Sequence, residues 1–318
     1  MKKFSEIYQL VFKHKGELDT LLKDYKSARN KKLLWFLFIF VALNIIVFFI
    51  NDKKLFISNY GDHPYLLWFY IFASIIIWGA YYVSIFYLFG DYRNRYKELV
   101  IKQIVNTINE NFEYIPKKGL TLSEYHQGFK DLGRDMFSED MIKGTLENNL
   151  SFVMSEVYVT HEENTVGEDG NTQETVIDYK GLMGYANLPN PVKSNFEITT
   201  NAKYNELDEK RIEMESIEFE QLYDVLADDR LYAMKLLNPQ IIEEFLKIKR
   251  LGCKGFEIRF ENGMAYFRYL SKEIFEPPTR GNILSPEKVK EYIMTVYYPI
   301  HILSLMSDAI SEECGAVK

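Results

Sequence analysis

The sequence has almost no cysteine: Cys253 and Cys314 are the only two in 318 residues. Neither has another Cys or a His at zinc-ligand spacing, so a disulfide framework and a structural zinc are both unexpected. Histidine is sparse as well. His14, His63, His126, His161 and His301 are scattered, with no HExxH-type pair, and each reads as a surface or structural side chain. P-loop and dinucleotide fingerprints are missing too, because the glycines of KGLMG and GEDG sit in strand and loop contexts rather than at a strand-to-helix turn. No cofactor is expected and no catalytic residue can be named. Basic charge is also short: 38 Lys+Arg face 45 Asp+Glu, a formal net charge of -7. Residues 1–89 hold 11 basic and 6 acidic side chains, which leaves 27 basic against 39 acidic from residue 90 onward. An acidic C-terminal portion repels phosphate backbones, which excludes nucleic acid as a partner.

Two long apolar runs stand out. Residues 33–50, LLWFLFIFVALNIIVFFI, are 18 positions without a charge, about 27 Å of helix and close to the thickness of a hydrocarbon core. Residues 65–89 are a second uncharged run, of 25 positions, enough to span with some tilt. The first is not a signal peptide, since 32 polar and amphipathic residues precede it and no small-residue cleavage site follows. Lys23, Lys26, Arg29, Lys31 and Lys32 lead into the first run, and Arg93, Arg95, Lys97 and Lys102 follow the second. The connection between the runs carries only Lys53 and Lys54. Lysine and arginine are retained on the cytoplasmic side, so both ends are expected inside. Trp35 and Trp68 fall near opposite interfaces, where amphipathic rings settle. Asn44 is the strongly polar side chain of the first run, and Ser74 lies at a comparable depth in the second; an amide in hydrocarbon seeks a partner on a neighbouring helix. Ala73, Ala80 and Ser84 give a small-residue face for close approach.

The remaining chain reads as alternating helix and strand signals. Phe4, Ile7, Tyr8 and Val11, then Leu18, Leu21, Leu22 and Tyr25, recur at helical spacing; this amphipathic helix either lies on the bilayer or packs on the soluble domain. Leu99, Val100, Ile104, Val105, Ile108 and Phe112 form a second stripe, a stalk ended by Pro116 and Gly119. A short helix is expected near 122–132. Residues 150–159 and 175–186 read as antiparallel strands on either side of a mobile polar loop, HEENTVGEDGNTQE, and 196–200 and 211–217 are further strand candidates. Asn238 caps a helix begun by Pro239, with Ile241, Ile242, Phe245 and Leu246 inward and Gly252 as the stop. Asn262-Gly263 then closes a hairpin that pairs Phe260 with Ala265, Ile258 with Phe267 and Phe256 with Tyr269, with Glu257 opposite Arg268 as an exposed pair. Ser285-Pro286 opens a C-terminal helix, interrupted at Pro299, whose stripe Val289, Ile293, Val296, Ile300 and Leu303 suits a core better than a dimer seam.

One dense group of chemically capable side chains occurs, and it is acidic: Glu213, Glu215, Glu218, Glu220, Asp224, Asp228 and Asp229. On a helix Asp224 and Asp228 would share a face, and with Asp229 and Glu220 they could hold Mg²⁺ or Ca²⁺. No His, Lys or nucleophile accompanies them, and the alternating oxygen ligands of a calcium loop are missing. The group is therefore expected to be a solvated face, with Asp228 or Asp229 capping the next element.

GFKDLG and DMFSEDMIKGTL between Gly128 and Leu146, YKGLMGYANL from Tyr179, SIEFEQLYDVLADDRLYAMKLLNPQIIEEFLKIK, FENGMAYFRY and KEIFEPP carry a resemblance. The chain resembles a bacterial membrane family described only as a domain of unknown function, whose members place two transmembrane helices before a cytoplasmic domain and are often encoded near LemA-family proteins. The resemblance implies the bacterial inner membrane as location and LemA-family proteins as candidate partners. The expected organisation is an amphipathic cytoplasmic helix (1–32), a transmembrane hairpin (33–89, spans 33–50 and 65–89), a juxtamembrane stalk (90–116) and a cytoplasmic α+β domain (117–318) with an antiparallel sheet covered by helices. The expected function is that of a non-enzymatic adaptor or sensor acting through protein partners, self-association included. A carboxylate-metal enzyme and a lipid-handling domain are the alternatives; tight divalent-metal binding would mark the first and a large apolar cavity the second.

Overall fold

In a computed structural model, residues 6, 9–10, 12–13, 15–50, 64–130, 133–167, 170–200, 210–250, 252–270, 275–278 and 286–315 are described. The chain divides into two compact units, Lys13–Leu99 with Pro277–Leu284, and Val100–Glu276 with Ser285–Lys318 and the N-terminal Met1–Phe12.

The first unit is a pair of long helices, α1 (Lys15–Ile50) and α2 (Pro64–Tyr96). The expected amphipathic segment and first apolar run are one continuous helix: Leu18, Leu22 and Tyr25 are buried, whereas Trp35 and Phe38 further along are about two-thirds exposed. The first half of the amphipathic stripe, Phe4 to Val11, lies outside the described residues. The two helices run antiparallel. Phe36 meets Tyr81 and Phe40 meets Trp78 edge-on or tilted, while Tyr25 stacks on Tyr92 at 4.4 Å. Aromatic contacts of this kind add about 0.5–1.5 kcal/mol each beyond the area they bury.

The second unit is α+β. Beyond a π-helical turn, Lys97–Ile101, come α3 (Lys102–Ile108), β1 (Glu113–Ile115), α4 (Leu122–Gly128), β2 (Asp135–Thr145), β3 (Ser151–Gly167), β4 (Gly170–Asn187), β5 (Phe196–Thr200) and β6 (Arg211–Ile212). These are followed by α5 (Ile217–Glu220), β7 (Tyr223–Ala227), α6 (Arg230–Leu236), α7 (Pro239–Arg250), β8 (Gly255–Glu261), β9 (Met264–Leu270) and α8 (Pro286–Gly315). Among the described residues, nine strands form one antiparallel sheet in the order β1-β2-β3-β4-β9-β8-β5-β7-β6.

The β8–β9 hairpin has the expected register. Asn262 (φ 51) and Gly263 (φ 84) make the turn, and Phe256↔Tyr269, Ile258↔Phe267, Phe260↔Ala265 and Glu257↔Arg268 pair across it. Phe256, Ile258, Phe260 and Phe267 are fully buried, each contributing about 1.5–3 kcal/mol of transfer free energy. Phe245 of α7 packs on Phe256 at 5.6 Å, and Phe112 meets Phe152 edge-on at 4.9 Å. The α8 stripe Val289, Ile293, Val296, Ile300 and Leu303 is wholly buried, a core stripe. A second core covers the other face, where Tyr125, Phe129, Val157, Tyr179, Met183 and Tyr266 pack together. The α4 helix that carries Tyr125 begins in a capping box, Thr121 with Glu124.

Several expectations are corrected. The polar stretch after residue 160 is not a loop: β3 and β4 stay paired out to Gly167↔Gly170, in a ribbon beyond the strands that flank it. A ladder satisfies its own backbone groups, so it needs no apolar face to persist. The stalk stripe ends at Ile108, and Glu113–Ile115 is an edge strand rather than helix. Only Arg211–Ile212 of 211–217 is strand. Helix α8 runs through Pro299 without interruption, because its buried face outweighs one lost backbone bond. Glu257 and Arg268 are not an exposed pair: the opposite sheet face is covered too, and Arg268 is buried.

Candidate functional site

The acidic group does not converge. Asp224 lies on β7, not on a helix, so its i,i+4 relation to Asp228 places the two on no common helical face. Tyr223 and Val225, both buried, alternate with Asp224 along the strand. Asp224 is itself only 2% exposed, a departure from the solvated face expected of it. Its Oδ1 accepts from Arg211 Nε at 2.8 Å, and Arg211 Nη2 donates to Glu220 Oε1 at 2.6 Å. Glu220 Oε2 accepts from the Met214 amide at 2.9 Å. The paired carboxylates hold the Arg211 guanidinium above its usual pKa, the Asp224 hydrogen bond first among the causes. Asp228 pairs with Lys210 at 2.8 Å. Asp229 caps α6, accepting from the Tyr232 amide at 3.1 Å. Glu213, Glu215 and Glu218 are exposed, and Glu218 binds Arg250. Among the described residues no three His, Cys, Asp or Glu side chains are placed to hold a metal ion. Two polar atoms of the β5–β7 ladder, Thr199 Oγ1 and Asp224 Oδ2, are buried without a hydrogen-bond partner, and their residues are cross-strand neighbours.

In the helix pair, the hydroxyl that reaches Asn44 is Tyr70's, donating to Oδ1 at 2.8 Å, while Asn44 Nδ2 donates to the Phe40 carbonyl at 2.7 Å. Ser74 Oγ is buried without a hydrogen-bond partner, so the expected Asn44–Ser74 juxtaposition is not a bond; the longer tyrosine bridges the gap one turn away. Lys32 Nζ donates to the Ser84 hydroxyl and carbonyl at 2.6 and 3.1 Å.

The ribbon carries a tight ionic triad that the sequence did not single out. Both oxygens of Asp178 lie 2.8 Å from His161 Nδ1, and Glu163 Oε1 lies 3.0 Å from Nε2. The β3–β4 register shifts between Val159 and Thr160, pairing Val159 with Tyr179 and Thr160 with Ile177 and leaving Asp178 as the extra residue. A bulge re-aims a side chain in this way. The bonds to Asp178, then to Glu163, raise the imidazole pKa.

A cavity of about 540 Å³ opens between three segments of the α+β unit. One is the α7–β8 turn: Gly252 (φ 96) stops α7, with the Cys253 amide bonded to the Ile248 carbonyl and the Gly252 amide to that of Lys249, the bond pattern of a Schellman stop. The second is the end of β9, Tyr269 and Leu270, and the third is one face of α8, Glu287 to Thr295. Cys253, Tyr269, Met294 and Thr295 are the buried floor. Cys253 donates its thiol to the Gly255 carbonyl at 3.2 Å, and burial pushes its pKa up to about 11. Burial likewise raises that of Tyr269, whose hydroxyl bonds with Cys253 and Thr295. No sequence motif marks this cavity, since its walls come together only in the folded chain.

No curated protein matches the chain. Among solved structures, it is similar to the crystal structure of the mycobacterial trehalose monomycolate transport factor A, TtfA, at 8% identity and a TM-score of 0.34, over 63% of this chain and 93% of that one; a likeness of that degree carries no argument. Residues 177–307, from the inner half of β4 to the last third of α8, match the family described as Protein of unknown function (DUF3137), a family of unknown function as the sequence resemblance led us to expect.

Proposed function

We propose that this chain is a multi-pass protein of the bacterial inner membrane, held by the α1–α2 hairpin with both ends in the cytoplasm. Its α+β unit serves there as a non-enzymatic adaptor or sensor that works through protein partners. One observation carries the anchoring: the helical stretch Tyr70–Ile108, which takes in most of α2, is long and apolar enough to cross a membrane, and none of its apolar window is buried inside the chain. Helix α8 passes the same length and composition test, but 67% of its window is buried, which makes it a core helix instead. Phe72, Phe86 and Tyr87 of α2 and Leu34, Trp35 and Phe38 of α1 all point outward, a belt far larger than a soluble surface tolerates. Two polar contacts join the pair, Asn44 with Tyr70 and Lys32 with Ser84, as a hydrocarbon surround favours. The basic flanks set the orientation.

The adaptor reading is supported by the acidic side chains being engaged in holding the fold rather than left free for chemistry: Asp224 and Glu220 on Arg211, Asp228 on Lys210, Asp229 on a helix end. Reporter fusions after Lys318 test the topology; activity restricted to the non-cytoplasmic side would reverse it. Purification of the full chain from membranes, with identification of the proteins and lipids that accompany it in fixed proportion, tests the adaptor role. LemA-family proteins are the first to look for, and a chain that copurifies with no protein but with tightly held divalent metal would overturn the reading.

A further inference from the structure

We propose that the cavity between the α7–β8 turn, the end of β9 and the first turns of α8 binds a small zwitterion, a molecule with a cationic nitrogen and an acidic group a few bonds apart. This goes beyond the adaptor reading and does not depend on it. The cavity of about 540 Å³ has the size of a small-molecule site.

Its mouth carries both signs of charge. Glu287 and Glu291 stand one turn apart on α8, with Lys290 beside them and Lys254 across on the turn. All four are exposed. Several charged side chains of the unit find one another, Arg211 with Asp224 and Glu220, Arg250 with Glu218 and Glu243, Arg259 with Glu261, Lys247 with Glu244, while others, Glu213 and Glu215 among them, stand exposed. At the mouth no such pair forms among the described residues, although carboxylates and ammonium groups line the same opening. Groups of opposite sign that share a cavity without touching leave a gap for a molecule that presents both complementary charges. A ligand of a single sign would gain from one half of the mouth and be opposed by the other.

The floor is built to receive the body of such a molecule. The Thr295 hydroxyl is fixed on the Glu291 carbonyl at 2.8 Å and Cys253 on the Gly255 carbonyl, with the buried Tyr269 lining the same floor. Met294 and Leu270 add apolar contact. Fixing the floor in advance lowers the ordering cost of binding.

Calorimetric titration of the full chain in a non-ionic detergent tests the proposal. The probes are glycine betaine, phosphoethanolamine and L-amino acids with neutral side chains, with acetate, methyl phosphate and tetramethylammonium as single-charge controls. At least one zwitterion is expected to bind more tightly than about 1 mM, and at least about tenfold more tightly than any single-charge control. Glu291→Gln and Lys254→Met, both at exposed positions, are each expected to weaken it by about tenfold or more while leaving the thermal midpoint of the probe-free protein in place. Absence of binding by every zwitterion up to about 10 mM, equal binding by a single-charge control, or binding indifferent to both substitutions would each overturn it.

Discussion

Arg268 is a cation that the fold has taken almost wholly out of water, with 7% of its surface exposed. Its guanidinium lies over the Phe129 ring at 4.1 Å and near that of Tyr179 at 5.0 Å, donates to the Tyr125 hydroxyl at 2.9 Å, and is bonded through Nε to Glu257 at 3.0 Å. Burial is the largest influence and would lower its pKa; Glu257, with Tyr125 and Tyr179, together more than offset this, so the charge is retained. Glu257→Gln should therefore cost about 3 kcal/mol, the penalty of a buried charge without its counter-charge. The thermal midpoint of the purified protein should fall by roughly 6–12 °C. A change within that of a surface pair, under about 1 kcal/mol, would show that the guanidinium is in effect solvated. The cross-strand pairing was legible in the sequence and the burial was not, because alternation reports which residues share a face but not what lies over it. Gly263 is a different case, fully legible from the Asn-Gly pair. A Cβ there would meet only Pro191, at 3.8 Å, so Gly263→Val has room, and its cost of about 1–2 kcal/mol should come from the positive φ alone. Gly263→Asn, which tolerates that φ, should recover most of the loss in the same unfolding measurement.

The paired arms of β3 and β4 beyond residue 160 hold the His161 imidazole between two carboxylates, and this makes the ribbon sensitive to pH. The folded-state pKa of His161 is raised above its ordinary value by Asp178 and then Glu163. The stabilisation is therefore fully present below the unfolded value of about 6.5 and is lost as pH rises through the higher folded value. Val176, paired with His161, and Ile177, paired with Thr160, bring no charge to the triad. Amide hydrogen exchange across residues 160–164 and 173–177 should speed up as pH rises above about 6.5 by more than the intrinsic base catalysis of exchange, and His161→Gln should remove that excess. An excess that survives in the variant would place the titrating group elsewhere. The sequence suggests a loop there because the stretch HEENTVGEDGNTQE is almost wholly polar, and without an apolar alternation periodicity has nothing to detect. Strand β2 escaped for another reason. Asp140 takes φ 61, accepts from the Tyr114 hydroxyl and sits where the β2–β3 register shifts between Glu139 and Ile142, so the bulge breaks the alternation by which a strand is recognised. Helix α7 was legible end to end, since Asn238 and Gly252 act through bonds to their own neighbours in the chain and Pro239 through its fixed φ and missing N–H at the first helical position.

For the chain as a whole, the two native cysteines offer a test of the proposed topology that adds nothing to the protein. Both lie in the α+β unit and differ in access: Cys253 is buried and Cys314 is partly exposed near the end of α8. Burial pushes the Cys253 thiol up to about 11, so at pH 8 only about one molecule in a thousand presents the thiolate that alkylating reagents attack. With both chain ends in the cytoplasm, a membrane-impermeant maleimide should label neither cysteine in intact right-side-out vesicles. In inverted vesicles it should add one label per chain, and Cys314→Ser should abolish that label. Unfolding in denaturant should then expose a second thiol, Cys253, in wild type and variant alike. Labelling of right-side-out vesicles would place the α+β unit on the opposite side from the one its basic flanks imply, and rapid double labelling of folded protein would mean that the cavity floor is open. The side of the membrane and the closure of the cavity floor are thus read separately, the first from which vesicles react and the second from how many thiols do.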